Sequence, residues 1–294
     1  MRKPIAARLG WLAGVAIVAG LMAAPGHTQA GRKLTPAQLD DLLHKHEGYY
    51  GALAPQNLKK KRAAAPIDIT GTWFVDLHEG FAKFMFGPPY PEFLAEGQKA
   101  LAEGAAARAA GKTYRDAIGQ CYPAGMPMIM TRVWPLSFIQ LPTVIYMVAG
   151  FTNSFRAIYL DGRNYSDPDT VVPTYNGESI GHWEGKTLVV HTKYFETHEH
   201  YIDMGIPVSD KFEMTERMQL LENGTVLQIE YIMTDPDNWK GEWRNTKQWL
   251  RQDYSDIGEV ECIAANNAHL PGTDLGNSVV PAGGEAKDGE APRP

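Results

Sequence analysis

From residue 128 onward the apolar residues recur with a period of two, and this alternation constrains the fold more than any other feature of the sequence. Successive side chains on a strand point to opposite faces, so repeated short alternating segments specify sheets with one buried face. Candidate strands occupy 136–141, 143–150, 154–161, 178–184, 187–195, 211–221, 225–234 and 242–251. Glu184-Gly185 and Asn223-Gly224 are two-residue hairpin signals between strong strands, and Asp161-Gly162 marks another turn. Residues 66–77 (PIDITGTWFVDL) read as a first core strand, which brings the run to about nine. Antiparallel strands joined by tight turns, with few helices between them, predict a mainly β barrel or sandwich.

Two helices are expected around this run. Thr35-Pro36-Ala37-Gln38 combines an N-cap, a proline at the first helical position and a capping-box glutamine. Leu39, Leu42, Leu43 and His46 then form one stripe, so the spacing predicts a helix over 35–47. The basic run Lys59-Lys60-Lys61-Arg62 reads as a solvated linker, since four charges without an amphipathic partner bind anionic lipid weakly. Residues 91–110 predict a helical insertion that ends at Gly111. Its thin apolar stripe (Phe93, Leu101, Ala105) suits a surface position or a cap over an opening. From Pro271 the chain is Gly, Pro, Ala and acidic residues, too poor in apolar content to order itself. The expected organisation is a secretory signal over 1–30, an N-terminal helix and linker over 31–65, a barrel domain over 66–265 and a disordered tail over 266–294.

The signal is read from Arg2, Lys3 and Arg8, the apolar stretch Leu9–Ala24 and the small residues of Thr28-Gln29-Ala30, which place cleavage after Ala30. The apolar stretch is 16 residues long, short of the roughly 20 that span a bilayer. A periplasmic or secreted protein without a stable membrane span is expected. Hydrophobic residues at 44% and charged residues at 21% are ordinary globular values, which exclude a disordered chain, a collagen-like fibre and a disulfide-dense mini-protein. The net charge is −6, and no basic face of the kind a nucleic-acid binder carries is evident, so no nucleic-acid partner is expected. In an oxidising compartment Cys121 and Cys262 read as a disulfide closing a long loop; two buried free thiols are the alternative. Neither cysteine sits in a recognisable nucleophile setting.

Gly71-Thr72-Trp73 opens the first core strand and resembles the Gly-x-Trp element of lipocalin-like barrels, where the tryptophan plugs the closed end. The resemblance implies an antiparallel lipocalin-like barrel, and nine strands fit a barrel of eight with one extra. Along 212–220, Phe212, Met214, Glu216, Met218 and Leu220 share one face, and Glu213, Thr215, Arg217 and Gln219 the other. Glu216 is thus an acid on an apolar face, and a buried carboxylate must be paired or protonated. It is either a ligand anchor or general acid/base with a raised pKa, or a satisfied core pair with Arg156 or a tyrosine hydroxyl. A bulge would turn Arg217 inward in its place.

Glu196, His198 and His200 point to one side of an extended chain, and His-x-His on a strand is a zinc-ligand spacing. The alternative is a polar, exposed strand end. Met126, Met128 and Met130 alternate beside Cys121, a donor set suited to Cu(I) or, more ordinarily, to core packing. Tyr146, Tyr159, Tyr194, Tyr231, Trp243 and Trp249 fall on expected strands, an aromatic lining that suits an apolar or aromatic small molecule. The sequence contains no Gly-x-Ser-x-Gly elbow, P-loop, dinucleotide glycine pattern or His-Glu-x-x-His.

CYPAGMP at 121–127, DGR at 161–163, SIGHWEGKTLVVHT at 179–192, Glu216-Arg217 and Asp235-Pro236 follow in this order. Together they resemble a large family of exported bacterial proteins, over roughly residues 66–262. In the most specific piece, 179–192, Lys186 and His191 stand where the family more usually has Asp. The resemblance implies a shared fold and export, and brings no activity with it. Three functions are therefore expected from the residues themselves. The first is a periplasmic carrier for an apolar or aromatic small molecule, anchored by Glu216, Arg156 and Tyr231 in a wall that includes Tyr146 and Trp243. The second is an isomerase, lyase or hydrolase in that cavity, with Glu216 as acid/base and His191 or His198 as proton partner. The third is a zinc protein using His198 and His200.

Overall fold

Every alternating segment folds as a strand, and nine of the strands close into a barrel. The computed structural model describes Thr35 and residues 50–263 apart from 79, 81–83, 112, 113, 116 and 153. The expected signal, the remainder of the helix expected over 35–47 and the tail from 271 lie outside the described residues. The chain divides into units of residues 1–45 and 46–294; apart from Thr35, the described residues all belong to the second. Its strands are β1 (Gly71–Val75), β2 (Glu92–Phe93), β3 (Leu136–Gln140), β4 (Val144–Ala149), β5 (Phe155–Tyr159), β6 (Glu178–Glu184), β7 (Thr187–Lys193), β8 (Tyr201–Ile202), β9 (Ile206–Pro207), β10 (Glu213–Leu221), β11 (Val226–Thr234), β12 (Trp239–Lys240) and β13 (Trp243–Gln252). Around the wall they run β1-β13-β11-β10-β7-β6-β5-β4-β3, and β3 pairs back onto β1. β2 with β12, and β8 with β9, form two small accessory ribbons.

The turn signals predict a wholly antiparallel wall, and the structure departs from this at one joint. Eight neighbours are antiparallel and the β5–β6 pair is parallel. Counting explains this. Directions cannot alternate around a closed ring of nine, so one pair must repeat its direction. The connection from Leu160 to Gly177 makes that repeat possible, because a parallel neighbour needs a crossover and not a tight turn. The parallel seam is also short, with Ile158 opposite Ser179 and Tyr159 opposite Ile180. No strand is left over: the ninth is part of the wall.

Alternation sets the inner face. Trp73, Val75, Phe138, Met147, Ile158, Val190, Met214, Met218, Ile229, Tyr231 and Trp249 are all buried in one core. At one end, Trp73 donates its indole N–H to the Ile69 carbonyl at 3.0 Å, and the Arg251 guanidinium lies 4.2 Å over its ring. Arg251 is held there by the carbonyls of Thr70 (2.8 Å) and Gly224 (2.9 Å). A Cβ on Gly71 would come within 2.4 Å of that guanidinium, so the glycine of Gly-x-Trp is what admits the arginine.

The hairpin between β6 and β7 turns on Gly185-Lys186, one residue later than Glu184-Gly185, with Gly185 at φ 58°. Between β10 and β11 the turn is a three-residue 3-10 segment, Glu222–Gly224. Helix α1 (Pro55–Leu58) is short, and α2 (Ala95–Ala109) fills the expected insertion. The buried line of α2 is Gly97, Ala100 and Gly104; of the expected stripe, Phe93 is buried on β2 just before the helix, Leu101 is half-buried and Ala105 is exposed. Small residues let the helix backbone approach the Asn238 carbonyl, which a Cβ on Gly97 would meet at 2.7 Å. Cys121 and Cys262 form a disulfide that joins the segment after α2 to the segment after β13. It closes 141 residues, a loop for which chain-entropy arguments give on the order of 5 kcal/mol. Among the described residues no helix is long and apolar enough to cross a membrane.

Candidate functional site

Among the described residues two fully buried Arg or Lys side chains lie inside the barrel. The first is Arg156 on β5, which is 2% exposed and faces Glu216 on β10, which is 0% exposed. Nη1 donates to Oε1 of Glu216 at 3.1 Å, and Nη2 donates to Oε2 at closer range. Nε donates to Ser179 Oγ on β6 at 3.0 Å, and Nη2 also reaches Thr192 Oγ1 on β7 at 2.8 Å. The two hydroxyls are themselves 2.9 Å apart. One side chain therefore ties β5, β6, β7 and β10 together from within, straight across the parallel seam. Both carboxylate oxygens are engaged by a fixed guanidinium, the geometry of a bidentate structural pair. Of the roles expected for Glu216, this arrangement matches the satisfied core pair with Arg156. Arg217 points outward and bridges Glu184 at 2.9 Å, so no bulge reverses the strand.

The second cation is Lys247, on the inner face of β13 between Trp243 and Trp249, 3% exposed. Its Nζ donates to the Phe84 carbonyl, to the Met85 carbonyl at 3.1 Å and to Asn245 Oδ1 at 3.1 Å. Burial pulls its pKa down to about 7, against the opposing pull of the Asp203 carboxylate. Asp203 lies in the 3-10 turn between β8 and β9 and accepts the Phe86 N–H at 2.5 Å. Burial pushes the Asp203 carboxyl above its ordinary range, opposed by that N–H and by Lys247.

Between the two cations stands Tyr231 on β11, opposite Glu216 in register and fully buried. Its hydroxyl lies close enough to the indole N–H of Trp249 for the two to interact, and neither has a further hydrogen-bond partner. Burial raises the Tyr231 pKa well above the usual phenol value, and the Glu216 charge adds to the shift. Around them lies a wall of edge-on rings. Phe86 meets Tyr231 at 5.2 Å and Trp243 at 6.3 Å, and Phe84 meets Trp249 at 5.9 Å. Arg156, Glu216, Tyr231 and Trp243 are thus gathered inside the barrel.

Other expected site residues are not brought there. Tyr146 lies between buried Ile145 and Met147 on β4 and points outward, its ring 5.2 Å from that of Phe155, which is 57% exposed. His191 is on the outer face of β7, with Nδ1 2.8 Å from the Tyr165 hydroxyl and Nε2 3.0 Å from Glu213. It therefore stands across the sheet from Glu216. His198 is exposed beside the Tyr122 ring at 5.5 Å, whereas His200 is fully buried with Nδ1 2.7 Å from the Glu196 carbonyl. Glu199 between them has φ 51°, which breaks the extended geometry that would align the two imidazoles. Burial holds the His200 pKa at about 4. Among the described residues no three His, Cys, Asp or Glu side chains gather to hold a metal ion. Met126 and Met130 pack in the apolar core.

Lys247 and Asp203 were not anticipated. A signal for the lysine was present: the inner positions of β13 read Trp243, Asn245, Lys247, Trp249, Arg251, a charge between two tryptophans on a buried face. Nothing comparable marks Asp203, whose burial depends on a turn. The fold and this interior define a closed β-barrel with a charged, aromatic core. No protein-family model matches the chain, and no curated protein matches it.

Proposed function

We propose that the protein is an exported carrier for an apolar or aromatic small molecule, held at the Trp243 end of the barrel. The observation that carries this reading is the buried pair Tyr231 Oη and Trp249 Nε1, which lie close to one another in an aromatic surround and have no further hydrogen-bond partner. Buried polar groups are normally satisfied, and small-molecule sites combine apolar walls with a few such convergent handles. Lys247 and Asn245 extend the polar set on the same inner face. Export rests on the signal pattern of residues 1–30 and on the ordered motifs that resemble those of exported bacterial proteins, and the Cys121–Cys262 disulfide suits an oxidising compartment. An acid/base enzyme built on Glu216 and His191 has less support, because the two side chains lie on opposite faces of the wall.

Protein isolated from the periplasm is expected to carry a small organic mass in native mass spectrometry. Tyr231→Phe should weaken its retention roughly five- to tenfold, the effect of one lost hydrogen bond. A bare protein that also binds no aromatic probe would remove the reading.

A further inference from the structure

The segment Phe84–Gly87, within the connection from β1 to β2, enters the barrel beside Lys247. Its contacts there have an unusual chemistry. The Lys247 ammonium donates to two carbonyl oxygens, those of Phe84 and Met85, and sits 4.2 Å over the ring of Phe86. That ring lies edge-on to Tyr231 and Trp243. Trp243 Nε1 donates to the Gly87 carbonyl at 3.2 Å, and Asp203 accepts the Phe86 N–H. The strap therefore presents to the barrel an aromatic ring together with two adjacent oxygen acceptors for a cation.

We propose that Phe84–Gly87 is an internal stand-in for an aryl carboxylate, and that the ligand displaces it. The ligand's ring takes the place of the Phe86 ring against Tyr231 and Trp243. Its two carboxylate oxygens take the places of the Phe84 and Met85 carbonyls on Lys247. A carboxylate is favoured over a neutral group because it would hydrogen-bond the buried ammonium directly with a charged acceptor, where the strap offers neutral carbonyls and Asp203 acts only from a distance, and charge-assisted hydrogen bonds are the stronger ones. Asp203 lies across the strap from Lys247 and holds it by one main-chain bond, so displacement also frees an acidic group for a second, donating substituent. Affinity is then reduced by the fraction of molecules in which the strap is seated, and weakening the strap raises it.

This inference rests on the carrier reading, and calorimetric titration with naphthoate and with the uncharged naphthalenemethanol separates the two. The parent protein should bind naphthoate, and Phe86→Ala should bind it about tenfold more tightly. Both proteins should prefer naphthoate to naphthalenemethanol by about tenfold, and Lys247→Met should lose that preference while retaining the neutral probe. Phe86→Leu, which preserves more of the apolar volume, should shift affinity in the same direction by less; near-UV circular dichroism confirms that each variant is folded. Equal binding of the two probes, or naphthoate binding unchanged in Phe86→Ala and Phe86→Leu, overturns the aryl-carboxylate site and leaves the carrier. Absence of binding of either probe to any variant overturns both.

Discussion

Arg156 and Lys247 face the same interior and are solvated in opposite ways. Arg156 is met by a carboxylate and two hydroxyls, all on strands of the wall. Lys247 is met by an amide side chain and by two main-chain carbonyls of a connection between strands. A buried charge must be satisfied in either case. When the partners belong to the framework, the charge is part of the fold. When they belong to a connecting segment, it is held ready for whatever replaces that segment.

The contrast is broken most directly at Glu216. Glu216→Leu leaves Arg156 buried without its counter-ion and should destabilise the protein by about 3–5 kcal/mol in urea unfolding. Adding Arg156→Met should restore most of that loss, since a buried pair can be exchanged for apolar residues of similar volume. A double variant as unstable as the single one would mean that the clasp across β5–β7 and β10 contributes more than its charges.

Lys247→Met should cost less, about 1–3 kcal/mol at neutral pH, from the unsolvated Phe84 and Met85 carbonyls, offset in part by removal of a buried charge. Its effect on pH dependence is the sharper test. The folded pKa is lowered to about 7 from an ordinary 10.5, so between these values the unfolded chain binds more protons than the folded one. Stability should therefore rise with pH across that window and fall as pH drops through about 7. The variant should flatten this rise, measured as the urea midpoint against pH. Asp203, whose carboxyl is raised from 3.8, acts with the opposite sign and begins in the acid range.

Arg217→Ala is the smallest change. Arg217 neighbours Glu216 in sequence but faces solvent, where it pairs with half-exposed Glu184. No resolvable shift in the urea midpoint is expected, because exposed pairs are screened. A large loss here would show that position on the strand, not burial, sets the energetics.

The sequence carried the strands and much less of their neighbourhood. Each barrel strand lies on an expected segment because alternation is a local property, written into every few residues. Tyr146 reads as a lining residue yet faces outward, because Val144–Ala149 is apolar at nearly every position and so leaves the phase of the strand undefined. Glu216 was legible because β10 alternates cleanly, but the opposite phase of His191 on β7 depends on which residues pair. The Lys247 contacts join residues 163 and 162 positions apart. No periodicity reports such a separation, and the same holds for Asp203 and Phe86.

The odd strand count gives the wall an origin. In a ring of eight or ten alternating strands every joint is of the same kind, and no joint calls for its own fastening. In a ring of nine, one joint differs, and here it is joined by two residue pairs where its neighbours have five and seven. The guanidinium lies behind that joint and fastens it from inside, like a buckle on a hoop. Removing one strand would let the ring alternate throughout and leave the buckle nothing to close.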